Sequence, residues 1–200
     1  VLDPGNSGEE TKERLVSAAR DLLLHGGLPA LSMRSVAGEC GVSATAIYRH
    51  FEDKDDLLSA AVLQGFRIFA CYLRGALKKR SPGARLAALM RSYFDFACEN
   101  RNDYRLIFMT DCQQLSLPRL DEASRREISW TFQTLQDCIE ENQQACLMSE
   151  GEARSLAAYV WSSLHGLASL IVSGNLGESE EEIGSLVDQH LRLLERSLAR

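Results

Sequence analysis

From Leu57 onward apolar residues recur every three or four positions, in runs separated by short breaks, with no alternating strand pattern and no internal repeat. That spacing lays apolar side chains along one face of a helix, so the chain is expected to be all-α. Asp53 to about Leu77 reads as one long helix with Leu57, Leu58, Ala61, Phe66, Phe69 and Leu73 inward. It is followed by Lys78, Lys79 and Arg80, cations that suit the negative end of a helix. Ser81-Pro82 starts the next helix, Pro82 to Glu99, with a broad face of Leu86, Leu89, Met90, Tyr93, Phe94 and Ala97. Asn102 or Asp103 opens a short helix through Tyr104, Ile107, Phe108 and Met109. After a loop around Ser116 to Pro118, a long helix carries Ile128, Phe132, Leu135 and Ile139 towards Leu147. The last two helices are expected over Glu152 to Ser173, dense in small residues that let a neighbour approach, and Glu180 to Leu198. The latter places Ile183, Leu186, Val187, His190, Leu191, Leu194 and Leu198 at coiled-coil-like spacing. Two such helices serve equally to pair with a second copy or to pack within one chain.

The segment Leu31 to Leu58 is punctuated differently. Ser32 is an N-cap, Val36, Ala37 and Cys40 follow at helical spacing, and Gly41 supplies the left-handed residue a helix C-terminus favours, so this helix ends at Glu39 or Cys40. Ser43 caps a second helix, Ala44 to His50, with Ile47 and Phe51 inward and Ala44, Thr45, Tyr48 and Arg49 outward. Asp53 caps the helix after it. Two short helices joined by a glycine turn form a helix–turn–helix. The outward residues are small at the start, then hydroxyl, phenol, guanidinium and, in His50, imidazole, groups that donate to phosphates and base edges. Lys54 adds a cation at the next helix start, where backbone N–H groups also suit a phosphate.

Together with Ala18, Ala19, Leu22 to Leu24 and Gly26-Gly27 upstream, the series Leu31-Ser32-Met33-Arg34-Ser35-Val36-Ala37, Gly41-Val42-Ser43, Ile47-Tyr48-Arg49-His50-Phe51, Lys54, Leu57 and Leu58 resembles the DNA-binding domain of TetR-family transcriptional regulators. The match covers residues 10 to 60 without a gap. The resemblance implies that Ser43 to His50, Ala44 included, is the reading helix, that Thr45, Tyr48, Arg49, His50 and Lys54 touch bases or phosphates, and that Ser32 and Arg34 lie at the groove's edge. It also implies a homodimer formed by the last two helices, whose reading helices sit about one DNA turn apart, roughly 34–36 Å, on a palindromic double-stranded operator.

The stretch Tyr159 to Ala168, with Trp161, His165 and Gly166, together with Tyr104 to Phe108, is similar to a TetR regulatory-domain subtype marked by a Trp–His–Gly arrangement. That similarity implies an effector pocket with Phe69, Tyr93, Phe94, Phe108, Met109, Trp130, Trp161 and His165 as candidate lining residues. Such a lining favours a small apolar or aromatic effector over a phosphorylated one. The expected organisation is a DNA-binding part over residues 1–55, the first eight or so forming a flexible arm, and a helical effector and dimerisation part over 56–200. The expected function is repression relieved by effector; a helical ligand-binding or adaptor protein without sequence-specific DNA binding is the alternative.

Charge modifies this picture. The chain has 28 acidic against 22 basic residues, a formal charge of −6, and Lys54 itself lies among Glu52, Asp53, Asp55 and Asp56. Nucleic-acid-binding domains are usually basic, so few phosphate contacts per subunit and a shallow salt dependence are expected. No nucleophile elbow, glycine-rich phosphate loop or paired carboxylate–histidine spacing points to an enzyme. Cys40, Cys71, Cys98, Cys112, Cys138 and Cys146 lack metal-ligand spacing and read as small apolar residues in a reducing compartment, and His25, His50, His165 and His190 also lack such spacing. No metal or cofactor is implied. With no run of eighteen apolar residues and no signal-peptide pattern at VLDPGNSGEE, the expected location is cytoplasmic, with no membrane partner.

Overall fold

The computed structural model describes residues 4–110 and 120–199, so Cys112 and the loop at 116–118 lie outside the described residues. The described residues form an all-α fold: an N-terminal helix–turn–helix arrangement and a C-terminal helical bundle. They group into two compact units, one within Val1–Gly65 and Arg105–Arg125, the other within Phe66–Tyr104 and Arg126–Arg200.

The first unit holds α1 (Pro4–Ala30), α2 (Met33–Glu39), α3 (Ala44–Ile47) and the start of α4 (Lys54–Ala76). Helix α1 begins at Pro4, inside the stretch read from sequence as an arm. It buries Leu15, Val16 and Ala19, whereas Leu22, Leu23 and Leu24 are only half-buried. The helix breaks at Gly27, whose φ of 63° is open to glycine alone at little cost, and a Cβ on Gly26 would lie 2.5 Å from that of Ala30. Helix α2 packs on both α1 and α3. A π-helical turn, Arg105–Met109, also belongs to this unit.

The second unit holds the rest of α4, then α5 (Pro82–Glu99), α6 (Arg101–Tyr104), all but the first turn of α7 (Glu122–Gln144), α8 (Ala153–Val172) and α9 (Glu180–Leu198). Helix α5 is its centre, packing on α6, α8 and α9, and the predicted face Leu86, Leu89, Met90, Tyr93, Phe94 and Ala97 is buried. Its bounds and those of α9 match the sequence reading because Ser81 and Ser179 both accept N-cap bonds, from Ala84 N–H and Glu182 N–H. Helix α7 differs from expectation. Its buried face is Thr131, Thr134, Leu135, Cys138, Ile139 and Asn142, with Ile128 and Phe132 half-buried. Polar residues can face inward there because Thr131 donates to Ile128 O and Asn142 to Cys138 O, which satisfies them within the helix. The short helix expected from Asn102 starts one residue earlier, and after Tyr104 it relaxes into the π-helical turn. Helices α4 and α8 are long and apolar enough by composition to cross a membrane, but the core helices of a bundle have the same character.

Three helices end in the same double-bonded cap, in which the residue after the C-cap is left-handed. At α2, Val42 N–H reaches Ala37 O and Gly41 N–H reaches Gly38 O; at α8, Asn175 N–H reaches Leu170 O and Gly174 N–H reaches Ile171 O. At α7 the same bonds run from Leu147 to Asn142 and from Cys146 to Gln143, but the left-handed residue is Cys146, at φ 57°. A non-glycine residue there carries a penalty of about 1–2 kcal/mol, partly offset because glycine loses more freedom on folding. Cys146→Gly is expected to stabilise the protein by about 1 kcal/mol and raise the thermal midpoint by about 2–4 °C. Thermal unfolding followed by circular dichroism checks this, and an unchanged or lower midpoint contradicts it.

Candidate functional site

In the first unit the helix–turn–helix is built from its caps. Ser32 accepts from Ser35 N–H at 3.0 Å while Ser35 Oγ accepts from Ser32 N–H at 3.0 Å, a reciprocal capping box made by two serines. Ser35 Oγ also donates to Ala30 O at 2.9 Å, tying the start of α2 to the end of α1. The turn is held from α1 as well: Arg14 donates to Cys40 O at 2.9 Å and the Cys40 thiol reaches Arg14 O at 3.4 Å. Burial pushes that thiol above its ordinary range, so Cys40 stays protonated.

Ser43 caps α3 by accepting from Ala46 N–H at 3.1 Å. The α-helix stops at Ile47, three residues short of the predicted end, and the chain continues as a turn closed by Arg49 N–H to Ala46 O and Phe51 N–H to Ile47 O. Ile47 and Phe51 are buried as predicted. Ser43, Ala44, Thr45, Tyr48 and Arg49 are exposed, Tyr48 at 57%, and His50 is half-buried. Ser32 and Arg34 are exposed at the start of α2. The Arg34 and Arg49 side chains make no hydrogen bond or ion pair with another described residue, so their guanidinium groups are available to a ligand. Lys54 is placed otherwise: it is half-buried, and its ammonium donates to Leu28 O at 2.9 Å. Asp53 caps α4, accepting from Asp55 N–H and Asp56 N–H at 2.9 and 3.0 Å.

In the second unit, five of the predicted effector residues form one connected aromatic cluster. Phe69 meets Tyr93 edge-on at 5.7 Å, Tyr93 meets Phe94 at 6.3 Å, and Trp161 lies 6.1 Å from the His165 ring. Tyr104, which the sequence reading left out of the lining set, is the hub. Its hydroxyl lies 2.8 Å from His165 Nδ1, that of Tyr93 lies 3.2 Å from the same nitrogen, and the two hydroxyls are 3.4 Å apart. Trp130 stands under the Arg74 guanidinium at 5.1 Å, while Phe108, half-buried, and Met109, exposed, belong to the π-helical turn of the first unit. A second histidine, His190, pairs with Ser163 Oγ at 3.0 Å and packs edge-on against Phe94 at 5.9 Å. A cleft of about 430 Å³ opens between α5 and α9, lined by Phe94, Arg91, Asp95, Cys98, Ile183 and Val187 among others.

Asp103, next to Tyr104 in sequence, is buried in this unit, but the ring cluster itself carries no acidic or permanently cationic side chain. Burial raises both phenols, Tyr104 to about 12, and lowers His165 and His190 below the ordinary imidazole value of 6.5. Ion pairs in the unit join Arg67 with Glu127 at 2.8 Å, Arg85 with Glu141 at 2.7 Å, and Arg91 with Asp188. Among the described residues no group of three or more His, Cys, Asp or Glu side chains is placed to hold a metal ion.

Family models match both parts of the chain. One, described as "Bacterial regulatory proteins, tetR family", matches residues 15–61, and another, "Tetracyclin repressor-like, C-terminal domain", matches residues 86–194, more than half the chain. The chain belongs to the tetR family of bacterial regulators. Its fold is similar to that of a Rhodococcus sp. RHA1 protein of unknown function, with 26% identity over 95% of this chain and 96% of that one and a TM-score of 0.80. A TetR transcription regulator from Haloarcula marismortui shares the fold at 19% identity, with coverage of 96% and 100% and a TM-score of 0.73. The ketosteroid transcriptional regulator of Mycobacterium tuberculosis shares it at 14% identity, with coverage of 94% and 95% and a TM-score of 0.71. The exposed face of α3 lies within the residues matched by the first model, and Tyr93, Tyr104 and His165 lie within those matched by the second.

The two depressed histidines set a pH dependence. Below 6.5 the unfolded chain takes up protons that the buried rings resist, so their contribution to stability falls as pH drops towards the folded-state values; above 6.5 both states are neutral and it is constant. Denaturant titrations between about pH 7 and pH 5 are expected to show stability declining, with a smaller decline in His165→Gln and His190→Gln. An equal slope in wild type and both variants contradicts this assignment.

Proposed function

We propose that the protein is a DNA-binding transcriptional repressor that holds a palindromic operator as a homodimer and releases it on binding a small apolar or aromatic effector. The observation that carries this reading is the α3 face: a Ser43-capped turn of helix presenting Thr45, Tyr48 and Arg49 outward over a buried Ile47 and Phe51, with Arg34 exposed at the start of α2. Ser43 and Ala44 leave room for close approach to the groove, His50 and Ser32 flank the contact, and Lys54 adds a cation at the start of α4. On this reading residues 1–55 contain the DNA-binding part and residues 56–200 the effector and dimerisation part, in a cytoplasmic protein.

Dimerisation through α8 and α9 is supported by what those helices leave exposed. Ala158, Ser162, Gly166 and Leu170 recur every four residues on the outward side of α8, and Leu193 of α9 is 65% exposed. A row of small residues ending in an exposed leucine, with a second exposed leucine on the helix packed against it, suits a second copy of the same surface. The Trp161, His165 and Gly166 arrangement supports assignment to the Trp–His–Gly subtype, and the neutral cluster around His165 supports an uncharged, ring-bearing effector. Effector binding favours a conformer in which α4 moves and the two reading helices no longer match successive grooves. A preference of about 1–3 kcal/mol between the two states weakens operator binding several-fold to over a hundredfold.

The acidic balance, 28 against 22, favours the second reading, a ligand-binding or adaptor protein without DNA affinity. Selection from a randomised duplex pool separates the two. The repressor reading predicts one palindromic motif, with affinity for it lowered by about 1–3 kcal/mol in Arg49→Ala and lowered also in Tyr48→Ala; recovery of no motif at low salt favours the adaptor. Sedimentation equilibrium tests the interface: the wild type is expected to be a dimer, and Leu170→Glu with Leu193→Glu a monomer. A dimeric double variant would exclude this surface.

A further inference from the structure

We propose that the space between the start of α5, the end of α7 and the end of α9 is a small-molecule site separate from the ring cluster. It takes an uncharged ligand with an apolar body and one hydroxyl or N–H donor. The cavity there has a volume of about 310 Å³, within the range of small-molecule sites, and its lining residues all belong to the second unit. It shares no lining residue with the Tyr93–Tyr104–His165 cluster. Its walls are apolar: Leu86 and Met90 from α5, Met148 after α7, and Leu198 at the end of α9 are all buried. Glu195 is the only charged residue among the described lining, and it is exposed. A carboxylate or phosphate therefore meets repulsion at Glu195 and finds no cation to pair with.

Asn142 supplies the polar contact. It is 3% exposed and its side-chain N–H donates to Cys138 O at 2.7 Å, but its Oδ1 accepts no hydrogen bond from any described residue. That oxygen lies towards Gly83 across the cavity: a Cβ placed on Gly83 would stand 3.8 Å from it and 3.7 Å from Leu147 Cδ1. Burying an amide oxygen without a donor is unfavourable, so the position favours a molecule that brings one. Protein interiors hold few voids larger than a water molecule, and here the room is kept open by the chain itself. Gly83 and Ala87 lie one turn apart on α5 and line the cavity with little or no side chain. The left-handed Cys146 turns the chain after α7, and Leu147, whose N–H reaches Asn142 O, lines the same space while 54% exposed. Ser149 then holds the end of α9, with its N–H on Leu198 O at 2.9 Å and its hydroxyl on Ala199 O at 3.0 Å. Met90 and Met148 add unbranched thioether chains that adapt to the shape of a guest.

The test uses para-propylphenol, with propylbenzene as the same shape lacking the donor. The four methionines, Met33, Met90, Met109 and Met148, report where the probe binds through their isotope-labelled methyl resonances. Saturable shifts of Met90 and Met148 are expected, with Met33 and Met109 unmoved, and both shifts are expected to vanish in Gly83→Leu, whose side chain fills the cavity. Wild type is expected to bind the phenol about tenfold more tightly than propylbenzene, a difference of about 1.4 kcal/mol. That preference is expected to disappear in Asn142→Leu, which keeps a similar volume without the oxygen. Circular dichroism verifies that each variant folds; if Gly83→Leu does not, Ala87→Leu fills the same space. No saturable shift of Met148, shifts that persist in the filled variant, or equal affinity of wild type for the two probes overturns the proposal. A shift of Met109 without one of Met148 overturns it as well, because the phenol then binds elsewhere. The titration uses the free protein, so failure of the repressor reading leaves this site standing, and the reverse holds too.

Discussion

The burial of Ile47 and Phe51 is the contact on which the presentation of the reading face depends. The two side chains lie four residues apart, one at the last position of α3 and the other just beyond it, and they are 0% and 2% exposed. Burying two such side chains contributes about 3–6 kcal/mol of apolar transfer, far more than the single turn of helix could gain from its own hydrogen bonds. Because these residues point inward, helical geometry turns Thr45, Tyr48 and Arg49 outward. The caps around them, Ser32 with Ser35, Gly41 with Val42, and Ser43 with Ala46, fix where each helix starts and stops, and hence the register in which that outward face appears.

The second unit is organised by the opposite chemistry. Its ring cluster is aromatic and its polar groups pair with one another: two phenols with one imidazole nitrogen, and a serine hydroxyl with a second imidazole. A neutral network of this kind is inexpensive to bury only while every member keeps its partner. A ligand that offers a hydrogen-bonding oxygen to Tyr104 or His165 competes with existing bonds, so binding and rearrangement are linked. The ion pairs lie at the surface, where each is worth little, about 0–1 kcal/mol, and they serve register more than stability.

The local part of this architecture was legible in the sequence. Gly41 marked the turn because a left-handed residue was needed there, and Ser32, Ser43 and Asp53 marked helix starts that their side chains do cap. Helix α5 has the bounds its Ser81 cap announced, and α9 has those its apolar spacing gave. What depended on distant partners was not legible. Lys54 lies 26 residues from Leu28, and nothing in periodicity distinguishes a lysine that reaches a carbonyl from one that faces solvent. Tyr104 appeared only as an apolar member of a short helix, since its bond to His165 spans 61 residues. On α7 the inward face was misjudged because Thr131 and Asn142 meet their hydrogen-bonding needs within the helix and pack as if apolar. Helix α3 was overextended because its outer residues have helical composition, while their backbone closes by a tighter turn towards Phe51.

The central claim, that the α3 face of a paired chain meets DNA, is most directly tested by hydroxyl-radical footprinting of the wild-type protein on its selected duplex. The account predicts two protected patches related by two-fold symmetry, their centres about one helical turn apart, roughly 34–36 Å. A single unpaired patch, or uniform cutting along the duplex at protein concentrations well above half-saturation, would contradict it.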